Sequence, residues 1–229
     1  MKKSIIIVIA SLLALLFVSC TSTTKLQTFP KMYDEKPAVI LIMPPINNSN
    51  NVEAKDYFYT TMNVPIAEAG YYVIPPATGM ATLQRESAYD SERFIDGDLS
   101  KFGKLFGADV AVFTVIKSWE KSIIGSAVII EIEYIFKSTK TNEILYQRDA
   151  KITCDTSSNT NVSGLGLVGA LINATADAVK TAVTDYVDVA IMCNRSALVD
   201  IPYGKYHPDC GNDGEGAAYP VKFNITASK

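Results

Sequence analysis

A chain of 229 residues, 48% hydrophobic and 20% charged, reads as a folded globular protein rather than a disordered one. The formal net charge is −3 and no basic cluster occurs along the chain, which argues against a nucleic-acid partner and against an electrostatic hold on anionic lipid.

Lys2 and Lys3 open the chain, Ile5 to Val18 is apolar apart from Ser11, and Ser19-Cys20 follows. That run is short of the roughly 20 residues of a spanning helix, so residues 1–19 read as a cleaved signal peptide. Phe17-Val18-Ser19-Cys20 resembles the lipobox of bacterial lipoproteins, although Phe17 stands where that pattern usually has Leu. The resemblance implies cleavage before Cys20, lipidation of its thiol and acylation (palmitate) of the new amine. Each buried methylene adds about 0.8 kcal/mol, so three chains hold permanently. Thr21, rather than Asp, after the cysteine favours the outer membrane, with the protein facing the periplasm. Without Lys2 and Lys3, the 21 basic residues fall to 19 against 24 acidic ones, a net charge of −5.

Residues 20–36 lack an apolar period and read as a lipidated cysteine plus tether, with a reach of about 50 Å. Residues 37–200 read as one α/β periplasmic domain and 201–229 as an irregular tail. Ala38 to Met43 is a buried strand ended by Pro44-Pro45, and Ile46 to Asn51 a polar turn. Val52 to Ala69 has helical spacing; Pro65 should kink it near Thr61, and Gly70 stops it. Tyr71 to Ile74 completes a βαβ unit. Ala77 to Ser87 and Leu99 to Phe106 are short helices, and Val110 to Ile116 is a third buried strand. A turn is expected from Trp119 to Gly125. Ser126 to Ser138 alternates, with Glu131 and Glu133 on the polar side, and returns through Lys140-Thr141-Asn142-Glu143 to Ile144–Cys154, a strand near an edge. Leu171 to Met192 is a long one-faced helix, and Val221, Phe223 and Ile225 suggest a last edge strand. The fold class is α/β: a mixed sheet with a βαβ start and an antiparallel meander, helices packed on it.

Cys154, Cys193 and Cys210 remain after Cys20. Cys193 and Cys210 are a candidate disulfide closing a 17-residue loop, worth about 3 kcal/mol in the chain-entropy model. The alternative leaves them free. Cys154 reads as a small buried residue in a strand.

Three stretches carry a resemblance: PPINNSNNVEAKDYFYTTMNVPIAEAGYYVIPP (44–76), KFGKLFGADVAVFTVIKSW (101–119) and IPYGKYHP (201–208). Together they resemble a family of bacterial lipoproteins first noticed among neisserial genome-derived antigens. The resemblance implies a domain similar to the TolB N-terminal domain and the periplasmic domain of CsgG, the curli secretion channel. It also implies a role beside CsgG-like outer-membrane proteins.

Gly164 to Gly169 fits G-x-G-x-x-G, but no buried strand precedes it and no acidic residue closes a following one, so a dinucleotide site is rejected. His207, with Asp209 and Cys210, is too sparse for a metal site. No G-x-S-x-G elbow places a nucleophile, and Glu131/Glu133 read as a solvated face. Asn47, Asn48 and Ser49, after the first strand, lie where α/β sheets bind ligands, although turn formation explains them too. No cofactor and no catalytic residue is expected. The favoured function is a non-enzymatic docking component, homo-oligomeric, beside a CsgG-like export complex. The alternatives are a lipoprotein regulator of peptidoglycan synthesis, or a small-ligand or enzymatic domain using the 47–49 loop.

Overall fold

A computed structural model describes residues 23–121, 127–155 and 186–228. Two short helices come first, α1 (Lys25–Thr28) and α2 (Pro30–Glu35). The Thr24 hydroxyl accepts the Gln27 N–H, and the Gln27 side chain accepts the Thr24 N–H in return. Pro30 opens α2, where a missing N–H costs nothing. From Lys25 onward the expected tether is therefore folded. Phe29 and Met32 are each 3% exposed within the main core, and burial of such side chains contributes about 1.5–3 kcal/mol apiece.

β1 (Val39–Ile42) follows, then β2 (Ile46–Asn47), a short strand inside the stretch expected as a turn. The kinked helix is two helices, α3 (Ala54–Thr61) and α4 (Asn63–Glu68), meeting at Met62. Pro65 has no N–H to return to the Thr61 carbonyl, which accounts for the break. Gly70 ends this segment at φ +87°, and β3 (Tyr72–Val73) lies parallel to β1. Next are α5 (Pro76–Arg85), a 3-10 turn at Ser91–Arg93, and α6 (Ser100–Phe106).

The meander is β4 (Val110–Lys121), β5 (Ala127–Ser138) and β6 (Ile144–Asp155), paired antiparallel in turn. Trp119 does not begin a turn. It pairs with Ile130 across the β4–β5 ladder, and its ring packs on Phe58 and Tyr186 at 6.0 and 5.6 Å. α7 (Tyr186–Ala197) runs past Met192; the rest of the helix expected from Leu171, and the 164–169 glycine motif, lie outside the described residues. β7 (Lys222–Ser228) pairs parallel with β6 and is the last edge strand that Val221, Phe223 and Ile225 suggest, which leaves β6 one strand in from the edge.

The sheet order is β3-β1-β4-β5-β6-β7, with β2 also paired to β4. Alternation along β1 and β4 splits the core between two faces. Ile40, Ile42, Val110 and Val112 meet α3, α4 and α7 residues such as Phe58, Met62, Ile66 and Ala190. Leu41, Met43, Ala111 and Phe113 meet Leu83 of α5 and Phe102 of α6. Glu131 and Glu133 face solvent beside cross-strand lysines: Lys151 at 2.7 Å and Lys117 at 2.9 Å.

The stretch after Ile201 lacks regular structure as far as Val221, yet it is tied to the body. Arg148, with no exposed side-chain surface, pairs with Asp200 and donates from Nη1 to the Tyr219 carbonyl at 3.0 Å. Asp200 accepts the Tyr219 N–H at 2.7 Å. The expected Cys193–Cys210 disulfide is not formed: Cys154, Cys193 and Cys210 are free thiols. The phase of α7 turns Cys193 into the sheet, its Sγ 3.8 Å from that of Cys154, whereas Cys210 sits exposed on the surface segment.

Candidate functional site

Cys20 lies outside the described residues. The Asn47–Ser49 loop does not, and the side chains of Asn47 and Ser49 bond to each other and to the Asn51 backbone. Asn47 Oδ1 accepts both the Ser49 N–H (3.1 Å) and the Ser49 hydroxyl (2.7 Å), and its Nδ2 donates to the Asn51 carbonyl at 2.8 Å. The Asn48 N–H donates to the Ile116 carbonyl at 2.9 Å, continuing the β2–β4 ladder. Asn51 Oδ1 in turn accepts the Glu53 N–H at 3.1 Å, just before α3. The loop is thus an Asx-type turn that pairs the side chains of Asn47 and Ser49 internally, while the exposed Asn48 side chain takes no part in that network.

The structure brings together two stretches that are 131 residues apart. The backbone of Tyr203–Tyr206 lies along Ala69–Gly70: the Gly204 N–H donates to the Ala69 carbonyl at 2.8 Å and the Tyr206 N–H to the Gly70 carbonyl at 2.9 Å. The Tyr71 hydroxyl donates to the Pro202 carbonyl at 2.6 Å. His207 closes this joint. Its ring stacks on Tyr203 at 3.5 Å between centroids, and its Nδ1 accepts the Asp209 N–H at 3.1 Å. Nδ1 is thereby paired, and among the described residues no group of three or more His, Cys, Asp or Glu is arranged as a metal site.

Beside the joint, between α2 and the 202–211 segment, is an open cavity of about 440 Å³ lined by Tyr33, Lys36, Tyr71, Tyr203, Lys205 and Cys210, among others. Burial, reinforced by the nearby Asp213 carboxylate, pushes the Tyr33 phenol well above its ordinary range, and burial does the same for Tyr71. Both phenols therefore stay protonated at neutral pH and cannot act as bases. Sequence reasoning missed this cavity because its walls come from the supposed tether and the supposed tail.

A family model described as "Putative lipoprotein GNA1162-like" matches residues 28–202, most of the chain. This chain belongs to the GNA1162-like family. Its lipoprotein character is thus a family property, and the joint lies at the C-terminal limit of the match. "Putative lipoprotein NMB1124/NMB1162" of Neisseria meningitidis serogroup B is 26% identical over 181 residues, covering 77% of this chain and 82% of that protein. The crystal structure of lipoprotein GNA1162 from Neisseria meningitidis is similar with a TM-score of 0.50 at 26% identity, covering 62% of this chain and 97% of that one. The mixed α/β sheet expected from the sequence is thus the architecture of a GNA1162-like lipoprotein. Among the described residues of this GNA1162-like chain, no helix is long and apolar enough to cross a membrane.

Proposed function

We propose that this chain is an outer-membrane lipoprotein, held by acyl chains on Cys20 and facing the periplasm, that acts as a non-enzymatic docking component. It assembles with its own copies and beside a CsgG-like export protein. The observation that carries this reading is the state of the Asn47–Ser49 loop. At the sheet end where α/β proteins bind ligands, two of the three candidate side chains, Asn47 and Ser49, are bonded within the turn itself. Outward, the body presents apolar side chains to a partner: Val52, just after that loop, is 86% exposed and Tyr72 on the edge strand β3 is 54% exposed.

The test is crosslinking in intact cells of the native host, followed by purification of the protein and its adducts. Multiples of this chain and an adduct with an outer-membrane channel protein are expected. A monomer with no envelope partner would overturn the reading. Intact-mass measurement of the purified protein should show a triacylated N-terminal Cys20.

A further inference from the structure

We infer that the face formed by residues 23–27 and 214–217 rests directly on the bilayer. This rests on the reading of Cys20 as the lipidated residue. The decisive observation is how early the chain becomes fixed to its body. The Thr23 carbonyl accepts the Ala218 N–H at 2.9 Å, the Lys25 N–H donates to Gly216 at 2.8 Å, and the Leu26 N–H donates to Gly214 at 3.0 Å. A buried ion pair locks the same strip: the Lys25 ammonium lies 3.1 Å from Asp213, with side chains only 10% and 6% exposed.

Two residues, Thr21 and Ser22, separate Cys20 from Thr23, and the three Cα steps between them span at most about 10 Å when fully extended. A folded body of some 210 residues has a radius of gyration of about 17 Å. A leash of 10 Å attached to such a body cannot hold it clear of the surface. Nor can the body turn freely, because the attachment point is hydrogen-bonded into it. The bilayer must therefore meet the face around the attachment.

The composition of that face suits a headgroup region. Leu26 is 44% exposed, Thr23, Gln27, Gly216 and Ala217 are exposed and uncharged, and Lys25 is withdrawn into its pair with Asp213. Glu215 is the one exposed charge in the two segments. Attraction comes from the acyl chains; the face needs only to avoid repelling the surface. Val52 lies elsewhere, beyond the end of β2, while the strip leads into the start of β7 through Tyr219 and Val221. With the strip on the membrane, the loop carrying Val52 is left to the periplasm.

The experiment uses the full acylated protein, purified from membranes and placed in vesicles of phosphatidylethanolamine and phosphatidylglycerol. In a Cys210→Ser background, single Leu26→Cys, Ala217→Cys and Val52→Cys variants carry an environment-sensitive fluorophore, and quenching by headgroup nitroxide lipid is measured. Probes at positions 26 and 217 should be quenched several-fold more than the probe at 52. Inserting about fifteen Gly/Ser residues between Thr21 and Ser22, a root-mean-square reach of roughly 20 Å, should erase the difference. Equal quenching at the three positions in vesicle-bound protein would overturn the membrane-resting face alone. Failure to bind vesicles, with an unmodified Cys20 by mass, would overturn both this and the lipoprotein reading.

Discussion

Gly204 lies against Gly70 so closely that a Cβ on Gly204 would meet the Gly70 carbonyl oxygen at 2.6 Å and the Tyr71 ring at 2.7 Å. From the other side, a Cβ on Gly70 would meet the His207 nitrogen at 2.4 Å, and Gly70 also sits at φ +87°. Two backbones are in contact, and neither position has room for a side chain. Gly70→Ala should therefore cost both left-handed strain and a displaced joint, about 2–3 kcal/mol together. Gly107→Ala is the matched control. It shares the left-handed conformation (φ +66°) but has nothing within 4 Å, so about 1–2 kcal/mol is expected. Urea denaturation of the two variants measures the difference, and equal losses would mean the joint is loose.

Arg148 is the largest fully buried side chain of the described residues. Its guanidinium is divided among Asp200 and the carbonyls of Ala197, Tyr219 and Pro220, so it clamps the end of α7 and the final segment to β6. Asp200→Ala removes the carboxylate and leaves a buried cation, which should cost about 3–5 kcal/mol. The double variant Arg148→Met with Asp200→Ala removes both charges and should lose less than Asp200→Ala alone. Thermal denaturation of the three proteins checks the order. A double variant worse than the single would show that the hydrogen bonds, rather than the charge balance, dominate.

Much of this sheet was legible because buried strands announce themselves. Ala38–Met43 and Val110–Ile116 are continuous apolar runs, and Ser126–Ser138 alternates; each is a strand in place. The N-terminal helices were not. Leu26, Phe29 and Tyr33 do stand at helical spacing, but Pro30 among them and the threonines before them disguise it. Lys117 and Ser118 interrupt the apolar run before Trp119 and suggest a turn, but a bulge between Ile116 and Ser118 carries β4 on through Trp119, and Lys117 pairs with Glu133 and Asp149 at 2.9 Å. The two family stretches around Gly70 and Gly204 were visible as motifs. That they touch is a long-range fact that no local pattern carries.

Asp109 ties the start of β1 to the start of β4. Its Oδ2 accepts the Ala38 and Val39 N–H groups at 3.0 and 3.1 Å, and Oδ1 meets Lys140 at 2.9 Å. Burial alone would raise this carboxyl, but the Ala38 N–H, Lys140 and the Val39 N–H outweigh it and hold the value below the ordinary one. A depressed folded-state pKa stabilises the protein above the unfolded value, about 3.9, and that contribution is lost as the pH falls through the folded value. Asp109→Asn should thus cost about 1–2 kcal/mol at pH 7. It should also flatten the fall in stability below about pH 4. Denaturation midpoints at pH 7 and pH 3 test both; parallel curves for the two proteins would remove Asp109 from the acid response.

The cysteines separate by environment. Cys154 and Cys193 have no exposed surface, while Cys210 is exposed. Burial, with Cys154 alongside, pushes the Cys193 thiol well above its ordinary range, so little thiolate forms there at neutral pH. A maleimide reagent added to folded protein, with Cys20 acylated or replaced by serine, should modify Cys210 alone. Cys193 and Cys154 should react only after unfolding in denaturant with reductant, and Cys210→Ser should leave the folded protein unlabelled. Tryptic mapping of the labelled peptides distinguishes the sites. Modification of Cys193 in the folded state would mean that α7 lifts from the sheet. A Cys193–Cys210 crosslink in unreduced protein would require the same movement, since one thiol faces the core and the other faces solvent.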